Sequence, residues 1–318
     1  MTLDAIYKSA TNALNDLEKC LSDSLHRSLK DDLKQACHYV LASKGKRIRP
    51  NVLFCAHQLF GNPCPKSIKI ASAIELIHTA SLIHDDIIDE AHTRHQKPCF
   101  YRTFGMPAGI TMGVYLYSLA LRLIADTEDP HILRRISHAV KGLCIGEINQ
   151  IFGRNKLLNE HQYLLIIKQK TAVLFGLSAE LGGYLGGASK REQWALKRYG
   201  MALGMLFQLT DDLMDLTSPA SVLGKHIGQD ISQGEFTLPL LLLEPKLSEQ
   251  EMTVFNTLLT SKDLSQLPWI IDKLAHYNIR EEVTTYCHYY IDIAHLALND
   301  LPQATQLESL LGLIYKRM

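Results

Sequence analysis

The chain has 318 residues, of which 47% are hydrophobic and 21% charged, as is typical of a globular protein with a sizeable buried core. Its 33 basic and 33 acidic residues cancel to a formal net charge of zero, so general nucleic-acid binding is not indicated. The seven cysteines are scattered and form no CxxC pair, which indicates neither a disulfide framework nor a zinc site. We therefore expect reduced thiols and a cytoplasmic location.

The N-terminal segment 1–16 is polar and of mixed charge, which is not the pattern of a signal peptide. The segment 103–121 carries no formal charge and is long enough to span a bilayer. Glycine, proline and serine dilute this segment, however, and Arg122 ends it. We interpret it as a buried core helix and not as a transmembrane segment.

Apolar residues recur every three or four positions along almost the whole chain, which predicts helices. No alternating Val/Ile/Thr-rich segment predicts a sheet, and no Pro/Ser-rich linker divides the chain. We expect one all-α domain, residues 1–318, around a large central cavity. Besides the helix that leads into residue 89, the predicted helices cover 3–21, 29–42, 50–60, 107–126, 130–152, 160–187, 190–215, 238–246, 248–259, 263–276, 279–299 and 303–316, with a glycine-bearing loop at 218–234.

Two copies of a DDxxD motif are the most informative feature of the chain. On a helix, the first and last aspartate of each copy share a face. Pro98 follows the first copy by nine residues and Pro219 the second by four, which places both copies near helix C-termini, where negative charge is unfavourable. The two motifs consist of Asp85, Asp86 and Asp89, and of Asp211, Asp212 and Asp215.

Clustered carboxylates repel one another, and lining a cavity costs them solvation. Bound cations remove both penalties, and Mg²⁺ prefers carboxylate, water and phosphate oxygens to an all-protein cage. All six aspartates are therefore candidate magnesium ligands. The alternative interpretation is two solvated acidic helix ends.

Basic and polar residues fall at set places around the two motifs. Together with metal-binding carboxylates they suit a diphosphate, because metal ions bridge its oxygens while Lys and Arg neutralise the remaining charge. Taken alone, each has a simpler explanation, such as a solvated basic loop, a surface lysine or a satisfied core histidine. The candidate residues are Lys46, Arg49, His78, Arg94, His95, Lys170, Thr171, Gln208 and Lys225.

These segments together resemble the trans-polyprenyl diphosphate synthases, the family of farnesyl, geranylgeranyl and long-chain synthases, and most of all its long-chain members. The resemblance runs in order from Lys44 to Pro239. It is carried by the strings KGKRIRP (44–50), IELIHTASLIHDDIID (74–89), KTAVLF (170–175), FQLTDD (207–212) and TLP (237–239). It implies an isoprenoid synthase-like helical bundle, a homodimer and a magnesium-dependent prenyltransferase.

The resemblance implies that the six aspartates hold three Mg²⁺ ions on the diphosphate of an allylic substrate, farnesyl or geranylgeranyl diphosphate. Asp85, Asp89 and Asp211 would be the main ligands. Loss of the diphosphate leaves an allylic cation, which the double bond of isopentenyl diphosphate attacks. The proton then lost would pass to the departing diphosphate.

The resemblance also divides the remaining candidates between the two substrates. Arg94, Lys170 and Lys225 would bind the allylic diphosphate. Lys46, Arg49 and His78 would bind isopentenyl diphosphate, with His95 beside them. The oxygens of Thr171 and Gln208 would stabilise the cation as oriented dipoles, so these two residues and Lys170 are the catalytic candidates.

The chain departs from the family pattern at four places. His95 replaces the second of two arginines, so a group that titrates near neutrality stands in place of a permanent cation. Val114 stands where Asp is common, Glu235 where many members have Lys, and Lys44 at the first of two glycines. All six aspartates are retained, so activity is still implied.

The resemblance places the growing chain in a tunnel beneath Asp85. Ala80 and Ser81, the fifth and fourth residues before that aspartate, are small, whereas members that stop at fifteen carbons have an aromatic ring at one of these positions. The path then stays open to Ile77, and a pocket of this kind predicts a product of about six to eight isoprene units (C30–C40), for quinone side chains. The alternatives are small residues at a simple helix crossing, and a geranylgeranyl diphosphate synthase.

Two other classes of protein remain open. A class I terpene cyclase also uses DDxxD, but usually pairs it with an Asn/Ser/Glu metal motif. A weakly active or non-catalytic subunit of a heteromeric synthase usually loses the aspartates, and only His95 and Glu235 support that alternative here. We also expect peripheral membrane contact when so apolar a product is released.

Overall fold

The computed structural model describes residues 3–26, 31–42, 45–94, 97–217, 228–261, 264–302 and 304–316. Nearly all of these residues are helical, which confirms the predicted all-α class. Within the described ranges, the exception is a short antiparallel hairpin that pairs Thr93–Arg94 (β1) with Lys97–Pro98 (β2) and that the sequence analysis did not predict.

Most helices agree with the predicted segments to within a few residues. Two short helices, Phe100–Phe104 and Gln229–Gln233, were not predicted, and the second lies in the expected loop 218–234. Between residues 160 and 187, a π-helical turn interrupts the expected continuous helix. The turn covers Lys168–Ala172 and is called the π turn below. The α-helices are α1 Leu3–His26, α2 Asp31–Ala42, α3 Ile48–Gln58, α4 Pro65–Ile88, α5 Phe100–Phe104, α6 Met106–Ala125, α7 Pro130–Gly153, α8 Glu160–Ile167, α9 Val173–Gly186, α10 Lys190–Thr217, α11 Gln229–Gln233, α12 Leu238–Leu243, α13 Glu249–Ser261, α14 Leu267–His276, α15 Ile279–Leu298 and α16 Thr305–Tyr315, with 3-10 turns at Glu244–Lys246 and Leu264–Gln266.

The core has two apolar clusters. One is built mainly on α4, α6 and α7, and the other surrounds α10 with α12, α15 and α16. Their members are the Leu, Ile, Val, Phe and Ala residues whose helical spacing predicted the helices, because burying one apolar stripe per helix is what holds such a bundle together. α9 contributes residues to both clusters and packs against α3 and α10.

α4, α6 and α7 run in alternating directions. A Cβ atom on Gly109, early in α6, would lie 2.8 Å from Cδ1 of Ile87, near the end of α4. At the opposite end, Lys66 of early α4 pairs with Asp129 at 3.3 Å, just before α7. The C-terminal ends of α4 and α7 therefore meet at the same end of the bundle.

Two glycines let the neighbouring helices approach the π turn closely. A Cβ on Gly146 of α7 would lie 2.6 Å from the backbone nitrogen of Lys170, and a Cβ on Gly204 of α10 would lie 2.5 Å from Cα of Ala172. No side chain fits in either gap. The π turn is thus held between α7 and α10, and each of those helices carries site residues.

The expectation of a buried core helix at residues 103–121 holds for one face only. α6 is long and apolar enough to cross a membrane, with a mean hydropathy of 1.5, yet only 44% of that window is buried inside the protein. Leu116 and Ala120 are fully buried, whereas Ile110, Val114 and Leu121 are at least half exposed. The prediction was wrong for the second face because apolar residues surround the helix, and periodicity cannot then tell which side is covered.

Asp129 starts α7 as its N-cap. Its carboxylate accepts hydrogen bonds from the backbone N–H of His131 at 3.0 Å and from the Tyr184 hydroxyl at 2.9 Å. Substitution by Ala should lower the free energy of unfolding by about 1–2 kcal/mol, because the cap and its side-chain partners are lost together. Asp126→Ala, at an exposed side chain three residues earlier, is the control and should change stability by less than about 0.5 kcal/mol. Urea unfolding of both variants checks this, and equal stabilities would contradict it.

Candidate active site

The first acidic motif lies at the C-terminal end of α4, as its sequence context predicts. Asp85 is in the last turn, and the backbone N–H of Asp89 donates to its carbonyl at 2.8 Å. Asp86 is buried, and its Oδ1 accepts from Nε and Nη2 of Arg94, each at 2.8 Å. The β1–β2 hairpin returns Arg94 to the helix end, so Asp86 pairs with a residue that is a candidate for binding diphosphate, while Asp85 lines the cavity.

Asp85 lies in a carboxylate-rich, largely buried environment. The pKa of Asp85 is raised to about 7, mainly by burial and in addition by the charges of Glu147 and Asp89, while the Lys170 ammonium opposes the rise. Nζ of Lys170 lies 3.9 Å from Oδ2 of Asp85 and 2.6 Å from Oε2 of Glu147. A carboxylate that is this costly to ionise gains strongly from an added cation. The first motif is therefore chemically suited to a divalent ion.

The second motif lies in the last two turns of α10. Oδ2 of Asp212 accepts from the Tyr163 hydroxyl at 2.6 Å, and Oδ1 accepts from Nε2 of Gln208 at 2.7 Å. Burial nevertheless raises the pKa of Asp212 to about 7. Oδ2 of Asp215 accepts from the backbone N–H of Asp230 at 3.3 Å. Both oxygens of Asp212 are thus used within the protein, which makes it an anchor for Gln208 and Tyr163.

The π turn joins the two motifs. Lys170 reaches Asp85 of the first motif, and the next residue, Thr171, donates from Oγ1 to Oε1 of Gln208 at 2.8 Å. Gln208 in turn binds Asp212. Because adjacent residues of one turn contact both motifs, the two acidic clusters lie at one site and not on separate surfaces.

A second connection runs through Arg154, which follows α7. Its guanidinium contacts the carboxylate of Asp89 and lies 2.9 Å from Oε1 of Glu235. The backbone N–H of Glu235 donates to the carbonyl of Asp230 at 2.8 Å, and Asp230 binds Asp215. The sequence analysis assigned no role to Arg154, because α7 carries several other charged and polar residues and no local pattern singles this arginine out.

Arg49 and His78 form a second basic group near the same end of the bundle. Nη1 of Arg49 donates to Nε2 of His78 at 2.9 Å, and its guanidinium lies over the Phe175 ring at 4.7 Å. Burial, and then the charges of Arg49 and Arg94, hold the pKa of His78 well below its usual range. Burial also lowers the pKa of Arg49 to about 10, against the charges of Glu75 and Asp211. His78 is therefore a neutral acceptor that orients Arg49.

The structure does not place the other basic candidates in this group. Lys46 is exposed, just before α3. Arg47, which the sequence analysis did not select, pairs instead with Glu18 at 2.8 Å and Glu75 at 2.7 Å. His95 and Lys225 lie outside the residues that the structure describes.

An apolar cavity of about 680 Å³ opens beside the first motif between α4, α6 and α7. Asp85 and Glu147 line one end of it. The rest of its wall is almost entirely apolar, which suits a hydrocarbon chain attached to a polar head. From the site end downward, the wall includes Ile151, Ile148, Tyr117, Cys144, Leu143, Val140, Leu121, Ser137, Ile136, Ile124 and Leu133.

Two of the three predicted chain-length residues line this cavity. Ile77 and Ser81 do so, together with Asp85, because the three are one helical turn apart on α4. Ala80 does not line it and is fully buried in the adjacent apolar cluster. One residue of displacement rotates a side chain by about 100° around the helix, which turns Ala80 away from the cavity wall. Its role in chain length stays a prediction.

Among the described residues, no three His, Cys, Asp or Glu side chains converge closely enough to hold a metal ion by themselves. The available donors are carboxylates from two helix ends, of which the first opens onto the cavity at Asp85. Mg²⁺ usually takes one or two carboxylates and completes its shell with water and substrate phosphates. The donors therefore fit magnesium that binds together with a diphosphate, and not a preformed cage.

Comparison with known proteins agrees with this geometry. The family described as "Polyprenyl synthetase" matches residues 30–273. The chain is 34% identical over 314 residues to "Heptaprenyl diphosphate synthase component 2" of Bacillus subtilis, covering 96% of this chain and 89% of that protein. It is 32% identical over 317 residues to "Octaprenyl diphosphate synthase" of Escherichia coli, covering 99% and 98%.

Solved structures show the same fold. A polyprenyl synthase from Caulobacter crescentus, crystallised with calcium and isoprenyl diphosphate, superposes with a TM-score of 0.93 at 27% identity, over 98% of this chain and 97% of that one. A decaprenyl diphosphate synthase from Rhodobacter capsulatus gives a TM-score of 0.92 at 26% identity, over 99% and 98%.

The depressed pKa of His78 predicts a pH effect on stability. Below pH 6.5 the unfolded chain takes up a proton at His78 that the folded chain does not, so stability is lost as the pH falls. The wild type should lose about 1 kcal/mol more than His78→Asn between pH 6.5 and 5.5, from a slope of at most about 1.4 kcal/mol per pH unit. Chemical unfolding of both proteins at the two pH values checks this, and parallel losses would contradict it.

Proposed function

This chain belongs to the polyprenyl synthetase family and is a prenyltransferase of the polyprenyl diphosphate synthase type, and on that premise we propose its substrates and product. It condenses an allylic diphosphate, farnesyl or geranylgeranyl diphosphate, with isopentenyl diphosphate. The product is an all-trans polyprenyl diphosphate of long chain, suited to quinone side chains.

One observation supports this proposal most. The adjacent residues Lys170 and Thr171 connect the two acidic clusters, and an apolar cavity begins at Asp85 between them. A substrate with a diphosphate head and a hydrocarbon tail satisfies both parts of that site. A substrate with only a diphosphate would not use the apolar cavity, and a substrate with only a hydrocarbon chain would not use the carboxylates.

The diphosphate head is placed by residues from both sides. We assign Asp85, Asp89 and Asp211 as the main ligands of three magnesium ions. When bound, these ions would neutralise the charge that develops on the leaving diphosphate. Lys170, at 3.9 Å from Asp85, adds a positive charge at the same place. Its pKa is raised by the charges of Asp85 and Glu147, although burial alone would lower it, so it stays protonated.

The allylic cation is stabilised by oriented dipoles. Gln208 is held by Asp212 through its amide NH₂ and by Thr171 at its carbonyl, so its orientation is determined by both partners. Oγ1 of Thr171 keeps lone pairs that can face the cation. Arg49 and His78 are assigned to isopentenyl diphosphate, and the proton lost from that substrate passes to the departing diphosphate.

The cavity length supports a long product. Ile151 and Leu133 line its two ends about five turns apart on α7, a distance of about 27 Å at 1.5 Å per residue. An extended chain advances about 3.3–3.6 Å per three backbone bonds, so a four-bond isoprene repeat advances about 4.4–4.8 Å. The cavity therefore accommodates about six repeats, the lower end of the C30–C40 range.

We propose that two copies associate through the exposed apolar face of α6 and α7. This face includes Ile110, Val114, Leu121, Ile148 and Phe152, of which Phe152 is 72% exposed. Several exposed apolar side chains on two neighbouring helices are typical of protein interfaces. Peripheral membrane contact for product release and a cytoplasmic location remain part of the same proposal.

A second candidate role is that of one component of a two-part synthase. The relative in Bacillus subtilis is named "component 2". The experiment that separates the two roles is incubation of the purified chain alone with Mg²⁺, isopentenyl diphosphate and a farnesyl or geranylgeranyl primer. We expect turnover by the chain alone, with no product when isopentenyl diphosphate is omitted. No turnover with any primer would contradict the proposal, and product without isopentenyl diphosphate would indicate a cyclase.

Aromatic substitutions at two depths of the cavity should shorten the product to two different lengths. Ser81 lies one turn below Asp85, at about 6 Å, and Ser137 lies ten residues below Glu147, at about 15 Å. Ser81→Phe should give the shortest product, Ser137→Phe an intermediate one and the wild type the longest, because each ring blocks the tail at its own depth. Mass analysis of the products checks the order, and equal lengths would contradict the placement of the tail.

A further inference from the structure

Arg154 is a partly buried cation placed between two acidic residues at the end of the site where diphosphate binding is proposed. Side-chain exposure is 17% for Arg154, 16% for Asp89 and 13% for Glu235. The guanidinium contacts Asp89, and its Nη1 donates to the carbonyl of Ile88 at 3.2 Å. Its Nε and Nη2 donate to Oε1 of Glu235 at 3.1 and 2.9 Å.

The two carboxylates are not equivalent partners. Glu235 binds two guanidinium nitrogens through one oxygen, and its other oxygen accepts from Gln150. Asp89 binds through one nitrogen and is also an expected metal ligand. Two-nitrogen contact fixes a guanidinium more firmly than a single contact does. Glu235 is therefore the stronger of the two partners of Arg154.

Metal binding and the Arg154–Asp89 contact compete. A divalent ion on Asp89 would stand within a few ångströms of the guanidinium, and like charges at that distance repel in a partly buried site. A diphosphate that arrives with the metal offers Arg154 new anionic oxygens. Arg–phosphate contacts are among the strongest charge-assisted hydrogen bonds.

We propose that Arg154 exchanges Asp89 in the free enzyme for the substrate diphosphate in the loaded enzyme, with Glu235 as its constant partner. Arg154 then serves as a counter-ion for Asp89 before loading and as a diphosphate-binding residue afterwards. The negative charge of Glu235, which is unusual for the family pattern, is explained as the anchor of this arginine. The inference rests on the proposed function, because it requires a metal-bound diphosphate at Asp89.

Equilibrium binding without turnover tests the exchange. The probes are Mn²⁺, followed by water-proton relaxation, and inorganic pyrophosphate in the presence of Mn²⁺. Arg154→Gln should bind Mn²⁺ alone about tenfold more tightly, because a competing cation is lost, and should bind Mn²⁺-pyrophosphate about tenfold more weakly, because a ligand is lost. If Arg154 had only a structural role, its substitution would change the affinities for Mn²⁺ and for Mn²⁺-pyrophosphate in the same direction, or would change neither.

Glu235→Gln should change the affinity for Mn²⁺ alone in the opposite direction. Without its anchor, Arg154 binds Asp89 alone, so Mn²⁺ should bind more weakly than to the wild type. Arg134→Gln, at an exposed arginine on the same helix, is the matched control and should leave both affinities unchanged. If Arg154→Gln fails to fold, as judged by circular dichroism, the opposite-sign result for Glu235→Gln still decides the question.

The outcomes separate the two proposals. A wild type that binds neither Mn²⁺ nor Mn²⁺-pyrophosphate overturns the proposed function and this inference with it. A wild type that binds both, with Arg154→Gln and Glu235→Gln indistinguishable from Arg134→Gln, overturns only the role of Arg154. Weaker Mn²⁺ binding by Arg154→Gln also overturns it.

Discussion

The π turn between α8 and α9 is the constraint on which the site depends. Its extra residue per turn, relative to an α-helix, changes the direction of the side chains that follow, and π-helical turns are frequent at functional sites for this reason. Here Lys170 faces the first acidic motif and Thr171 the second. Two glycines allow α7 and α10 to close on the turn, so its position is determined by backbone packing and not by flexible side chains.

The electrostatics of the site follow from burial. Carboxylates from two helix ends are partly withdrawn from water, and burial raises the pKa of Asp85 and of Asp212 to about 7. The protein supplies Lys170 and Arg154 to some of these groups and neutral donors to others. Such a site is held together by its own cations, and its partly buried carboxylates would be stabilised by further ones. That combination suits a ligand that brings metal ions and phosphate together.

The apolar part of the molecule has two distinct surfaces. One lines the cavity between α4, α6 and α7, and the other is the outward face of α6 and α7. Leu121 and Ile148 belong to both surfaces, because they line the cavity and are also substantially exposed. A tail that fills the cavity and a partner that covers the outer face would therefore share a wall, which links product length to association.

Sequence by itself determined the helical class, the chemistry of the two aspartate motifs and the pairing of carboxylates with basic residues, because helical periodicity and motif spacing are local properties. The contacts of Arg154 and Tyr163 and the position of Ala80 away from the cavity wall were decided only by the tertiary structure. Arg154 and Glu235 are 81 residues apart in the chain, and Tyr163 and Asp212 are 49 apart. No local pattern encodes such contacts, and they arise only when helix packing brings the two side chains together. The same packing decides which side of an evenly apolar helix such as α6 becomes the inside.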